Sequence, residues 1–195
     1  MAKADPAASK RERNKHIKWV VTIFLSTILI SGSISLVSDA VMEASGVIMA
    51  FLILLAIVFV GIIFDIIGMA VATADEKPFH SMASRKVMGA QESIRLLRNA
   101  ERVSSICNDV VGDICGVVSG SASATIAARI LSNFEFTWPQ IVTLGMSALV
   151  AGLTVGGKAI GKTFAVNSCT EIVHFAGRLI HTLQHLPDLF RKKKK

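Results

Sequence analysis

Six polar side chains set in otherwise apolar stretches could do chemistry in this chain. Asp65 interrupts "IIFDIIGMA", Ser105, Asn108, Asp109 and Asp113 interrupt "RVSSICNDVVGDICGVVSGSAS", and Lys158 stands in "GGKAIGKT". An ionised carboxylate near the middle of a bilayer costs about 3 kcal/mol or more, so each acid needs protein, water and a partner around it. Asp109 and Asp113 are one turn apart on a helix, about 6 Å between their β-carbons. On antiparallel neighbouring helices Asp65 falls at the depth of Asp109, so three carboxylates, Asn108 and Ser105 are expected to converge. Like charges in one small volume repel unless something intervenes. Three partners are open: a divalent ion such as Mg2+, which takes carboxylate and carbonyl oxygens and keeps waters; Lys158, as a modulating or purely structural ion pair; or a shared proton in a relay. The expected metal set is Asp65, Asn108, Asp109, Asp113 and Ser105.

The elements that must position these residues follow from composition. Of the 195 residues, 52% are hydrophobic, too many for a soluble core of this size. Four stretches can cross about 30 Å of hydrocarbon as helices: roughly 19–38, 46–71, 103–131 and 140–165. The fold class expected is all-α, an integral membrane protein of four transmembrane helices with two juxtamembrane amphipathic helices. Of 21 basic residues, six lie in the first 18 positions, six between Lys77 and Arg102, and eight from Lys158 onward, with Arg129 alone at the far end of the third span. The connections holding Asp39, Glu43 and Glu135 carry no lysine or arginine. The positive-inside rule then places both termini and residues 73–102 in the cytoplasm of a multi-pass cell-membrane protein. Basic ends beside anionic headgroups account for the net charge of +7 without a nucleic acid. A secretory signal is the rival reading of the first span, but its apolar run exceeds a usual signal core, so a retained span is expected.

The organisation read from these limits is a basic tail over 1–18, a membrane domain over 19–165 and a juxtamembrane helix with a polybasic tail over 166–195. Residues 78–101 place Phe79, Met82, Val87, Ala90, Ile94 and Leu97 opposite Arg85, Lys86, Glu92, Arg95 and Arg98, an amphipathic helix that Gly89 could break into a hairpin. After Lys162 the pattern returns, with His174, His181 and His185 on the polar side and Pro187 expected to stop the helix. A His181–His185 metal pair lacks a third ligand in register, so a polar interfacial face is the expectation. "GGKAIGKT" matches the letters of a phosphate loop, but a membrane span precedes it where the chemistry needs a buried strand. Gly112, Gly116 and Gly120 form a bare ridge that Gly152, Gly156, Gly157 and Gly161 of the fourth span could meet. Cys107 and Cys115 lie too far apart on one helix to be bridged, and no metal-ligand cysteine spacing is present. No nucleophile and base fall at a spacing that a helix or turn would unite, so no enzyme is expected.

The run from Ile63 to about Leu183 resembles the transmembrane domain of the cyclin-M and CorB/CorC magnesium transporters. The matching positions are "NAERV" (Asn99 to Val103), Asn108, and "GKAIGKTFA" (Gly157 to Ala165), with Asn167 and Glu171 beyond. The resemblance implies transport of Mg2+, or of Co2+, by alternating access, with Asn108 as an ion ligand and Asp65 about where the family has a coordinating serine. It also implies a homodimer and no organic cofactor. Lys158 replaces the family's glutamate, Gly161 its proline, and Gly68 falls about where the first span has its glutamate. The 195 residues leave no room for the regulatory CBS pair that usually follows, and there is an extra first span; a separate regulatory protein could supply what is missing. The competing expectation is a non-transporting membrane scaffold whose acidic cluster is closed by Lys158.

Overall fold

The computed structural model describes residues 6–43, 45–133 and 137–192. The connection around Glu135, the side chain of Glu43 and much of both basic tails lie outside the described residues. The described chain is almost entirely helical, without a strand, and its order is α1 (Pro6–Glu43), α2 (Val47–Thr73), α3 (Lys77–Ser84), α4 (Ala90–Arg98), α5 (Ala100–Ser105), a π-helical segment (Ile106–Gly112), α6 (Asp113–Asn133), α7 (Pro139–Asn167) and α8 (Cys169–Lys192). Four helical stretches are long and apolar enough to cross a bilayer: Ile17–Val41, Val47–Thr73, Ala100–Asn133 and Pro139–Asn167. The protein is an all-α, multi-pass membrane protein, and each span lies within a few residues of its expected limits.

α2 is the central helix. It packs against α6, α7, α5, α8 and the π segment, whereas α1 lies on the flank, mainly against α6 and more lightly against α2. Two apolar clusters hold the bundle. Ala50, Leu54 and Val58 of α2 meet Ala122 and Ile126 of α6 and Val150 of α7 at one end. At the other, Ala70 and Val71 meet Phe79, Leu97, Ala165 and Val173. Lipid chains are as apolar as these side chains, so close packing between helices, rather than expulsion of water, holds the membrane-embedded part together.

The segment between the second and third spans does break at Gly89. Lys86 takes φ 56° and Gly89 takes φ 87°, a left-handed region that glycine enters at no steric cost. A β-carbon at Gly89 would lie 2.5 Å from the Arg178 amide nitrogen, and one at Gly177 would lie 2.6 Å from the Gly89 carbonyl oxygen. Glycine at both positions lets α4 and α8 touch backbone to backbone. Ser93 Oγ seals the contact by donating to the Val173 carbonyl at 3.1 Å.

Two expectations are corrected at this end. Glu92, placed on the polar outer face, is buried, with Oε1 3.2 Å from His181 Nδ1. Helix α8 runs past Pro187 to Lys192. A proline inside a helix removes one hydrogen bond, and in the last turns of an exposed helix water can take the carbonyl it frees.

Candidate functional site

Between the two apolar clusters α2 and the π–α6 helix meet along an antiparallel seam of small residues. A β-carbon at Gly61 would lie 2.8 Å from Cys115 Cβ; one at Gly112 would lie 3.9 Å from Asp65 Oδ1; one at Gly68 would collide with the Asn108 side chain and lie 2.9 Å from Cys107 Cβ. Glycine at 61, 68 and 112 therefore lets the helices approach, with Asp65 set against Gly112 and Asn108 against Gly68.

Asp65 is 4% exposed. Its Oδ1 lies 3.7 Å from Lys158 Nζ, the ammonium reaching across from α7. A β-carbon at Gly112 would lie 3.3 Å from that nitrogen, so the missing side chain makes room for the lysine. The second carboxylate oxygen, Asp65 Oδ2, is buried without a hydrogen-bond donor, and so is Asn108 Oδ1. Asn108 Nδ2 donates to Ser104 Oγ at 3.3 Å, which leaves the amide oxygen free for another group. Two buried acceptors without donors are uncommon, since each forfeits its hydration for nothing in return.

The π-helical turn lies at this place. Hydrogen bonds from each residue to the fifth before it widen the helix and shift the phase of the side chains that follow, and such turns recur at functional sites. Asn108 and Gly112 face α2, while Asp109 turns away toward α1, where its Oδ2 accepts a hydrogen bond from Ser105 Oγ at 2.8 Å. Asp113 opens α6 with an exposed side chain.

The expected convergence of three carboxylates is therefore corrected. Asp65, Asn108 and Lys158 share the seam, Asp109 and Ser105 line a different cleft, and Asp113 joins neither; among the described residues no three of His, Cys, Asp and Glu come together as a metal group. The depth argument matched height but not direction: Asn108 faces α2, and its neighbour Asp109 points about 100° away on the helix. The glycine ridge is corrected too. Gly116, Gly120, Gly152 and Gly156 have open space where a side chain would go, while Gly157 and Gly161 press on Ile62 and Ile66 of α2 rather than on α6. The buried stripe of α6 is instead Ile114, Val118, Ala122 and Ile126.

"GGKAIGKT" lies wholly inside α7, so its backbone amides serve the helix and present no loop to a phosphate. His181 and His185 stack with ring centroids 4.1 Å apart, and His185 Nδ1 lies 2.9 Å from the His181 carbonyl. Arg129 Nη1 donates to the Ser45 carbonyl at 2.8 Å, tying the far end of α6 to the start of α2. Sequence reasoning missed Ser104, Gly61 and the packing role of Gly68. Only the one-turn spacing of Ser104 to Asn108 could have signalled the first. Compared with protein-family models, curated proteins and solved structures, the chain matches none.

Proposed function

We propose that this protein moves a divalent cation, Mg2+ or Co2+, across the membrane through the Asp65–Asn108 seam, with Lys158 as the ammonium that balances Asp65 when no ion is there. The observation that carries the reading is the pair of buried acceptors without donors, Asp65 Oδ2 and Asn108 Oδ1. A hard divalent ion takes one or two carboxylates with neutral oxygens and keeps part of its water shell, which is the donor set this seam offers. An ion entering would compete with Lys158 for the same carboxylate. The resemblance to the magnesium-transporter membrane domain favours the same ion class and a homodimer, for which the open small-residue faces at Gly116, Gly120, Gly152 and Gly156 provide surface. The distribution of lysine and arginine favours cytoplasmic termini in a cell membrane.

A second reading rests on the 3.7 Å Lys158–Asp65 contact itself: a scaffold in which the ion pair is architecture and nothing is moved. Binding that stabilises only the folded protein raises its unfolding midpoint. Mg2+ titrated onto purified protein should raise the midpoint of the wild type and leave Asp65→Asn and Asn108→Leu unshifted. Equal shifts in all three, or none in the wild type, would favour the scaffold.

A further inference from the structure

Asp109 takes no part in the seam, and its surroundings differ in kind from those of Asp65. It lies within the third span, exposed, and forms one wall of a cavity of about 450 Å³ between α1 and the α5–π stretch. Ser105 shares that wall, and the remaining lining is hydrocarbon or aromatic, including Trp19, Ile23, Phe24 and Val110. Ser105 supplies one hydrogen bond to the carboxylate at 2.8 Å, and among the described residues no basic side chain pairs with it.

We propose that this cleft binds a lipophilic organic cation, an ammonium or phosphonium carried on an alkyl or aromatic body. The charge argument comes first: a carboxylate at this depth is costly without a counter-cation. A small hydrated metal ion is a poor occupant, because it keeps much of its water shell and a lining that is otherwise hydrocarbon or aromatic gives those waters little to bond to. A cation whose charge is spread over an apolar body satisfies both walls at once, pairing with Asp109 while its substituents lie against Ile23, Phe24 and Val110. Aromatic surface from Trp19 and Phe24 adds attraction for a poorly hydrated cation. The volume is that of an ordinary small-molecule site. Val20 and Phe24 of α1 remain substantially exposed beside the cleft, so a ligand dissolved among acyl chains can reach it. This site is independent of the seam occupied by Asp65 and Lys158.

The test uses tetraphenylphosphonium and the full chain in phosphatidylcholine nanodiscs. The protein has two tryptophans, so Trp138→Phe leaves Trp19 as the fluorescent reporter at the cleft. Titration should change Trp19 emission saturably; adding Asp109→Asn should weaken binding at least about tenfold, as expected for loss of a charge partner in a poorly hydrated site. Asp109→Glu should retain binding, and Val110→Phe, which keeps the charge and fills the cleft, should lose it. Asp65→Asn should leave binding unchanged, which separates this site from the seam. A non-saturating signal alike in all variants, or loss with Asp65→Asn but not Asp109→Asn, would overturn the proposal.

Discussion

Lys158 Nζ lies 3.7 Å from one carboxylate oxygen of Asp65 while the other oxygen, buried beside it, has no donor. The lysine thus balances the charge of Asp65 at ion-pair distance but gives Oδ2 no hydrogen bond. Removing one member of a buried ion pair leaves the other charge uncompensated, typically at about 3–5 kcal/mol. Lys158→Met is expected to destabilise by that order, and Asp65→Asn added to it should recover most of the loss. Denaturation of the variants in detergent measures this. Additive losses in the double variant would mean the two groups do not interact.

Gly68 faces the Asn108 side chain so closely that a methyl group has no place. Gly68→Ala must displace Asn108 or push α2 from the π segment, an overpacking cost of about 1–3 kcal/mol. Cation-dependent stabilisation should fall with it. Gly145→Ala, where the added carbon meets nothing within 4 Å, should behave as wild type on both measures.

At the basic end of the bundle, a β-carbon at Gly177 would collide with Ser93 Oγ and lie 2.6 Å from the Gly89 carbonyl oxygen. Gly177→Ala should part α4 from α8 and break the Ser93 bond to Val173. Amide hydrogen exchange reports it as faster exchange in residues 90–98 and 170–180, with α2 and α6 unchanged. Unaltered protection across α8 would contradict the close backbone contact.

The Glu92–His181 contact sets a pH limit on the same docking. Burial by itself would raise the Glu92 carboxyl; the hydrogen bond from His181, the backbone amide of Glu92 and the charges of His181 and Arg95 outweigh it and hold it below the ordinary value. A carboxyl lowered by folding stabilises the folded state fully above its unfolded value, near pH 4.5, and loses that contribution as pH falls through the folded value. α4–α8 docking should therefore weaken in acid below about pH 4.5, and Glu92→Gln should lack that dependence. Exchange rates in α8 measured across that range check the sign.

The spans were legible because long apolar runs between charged segments leave few alternatives in a bilayer. The hairpin was legible as well, because Gly89 interrupts a helical period where only a residue free to take φ 87° can turn the chain. Asp65, Asn108 and Lys158 were recognised as chemistry, since polar groups at membrane depth stand out. Their grouping was legible in part: Lys158 was expected beside an aspartate and does pair with Asp65, but Asp109, Asp113 and Ser105 were expected in the same volume and lie elsewhere. Adjacent helical residues point about 100° apart, so once Asn108 faces α2 its neighbour Asp109 must leave that face, and the sequence does not say which of the two faces inward. The glycines misled for a related reason: a four-residue glycine period shows where helices can approach, and the neighbour's surface decides where they do. Gly61, Gly68 and Gly112 are used because Cys115, Asn108 and Lys158 fill the space they leave.

The most direct test of the central claim is Mg2+ flux into liposomes carrying the purified protein with an Mg2+-sensitive dye inside, comparing wild type, Asp65→Asn and Asp113→Asn at matched density. The account predicts flux from the wild type, its loss in Asp65→Asn and its retention in Asp113→Asn. Flux that survives in Asp65→Asn, or a folded wild type that passes neither Mg2+ nor Co2+ at any membrane potential, would contradict it.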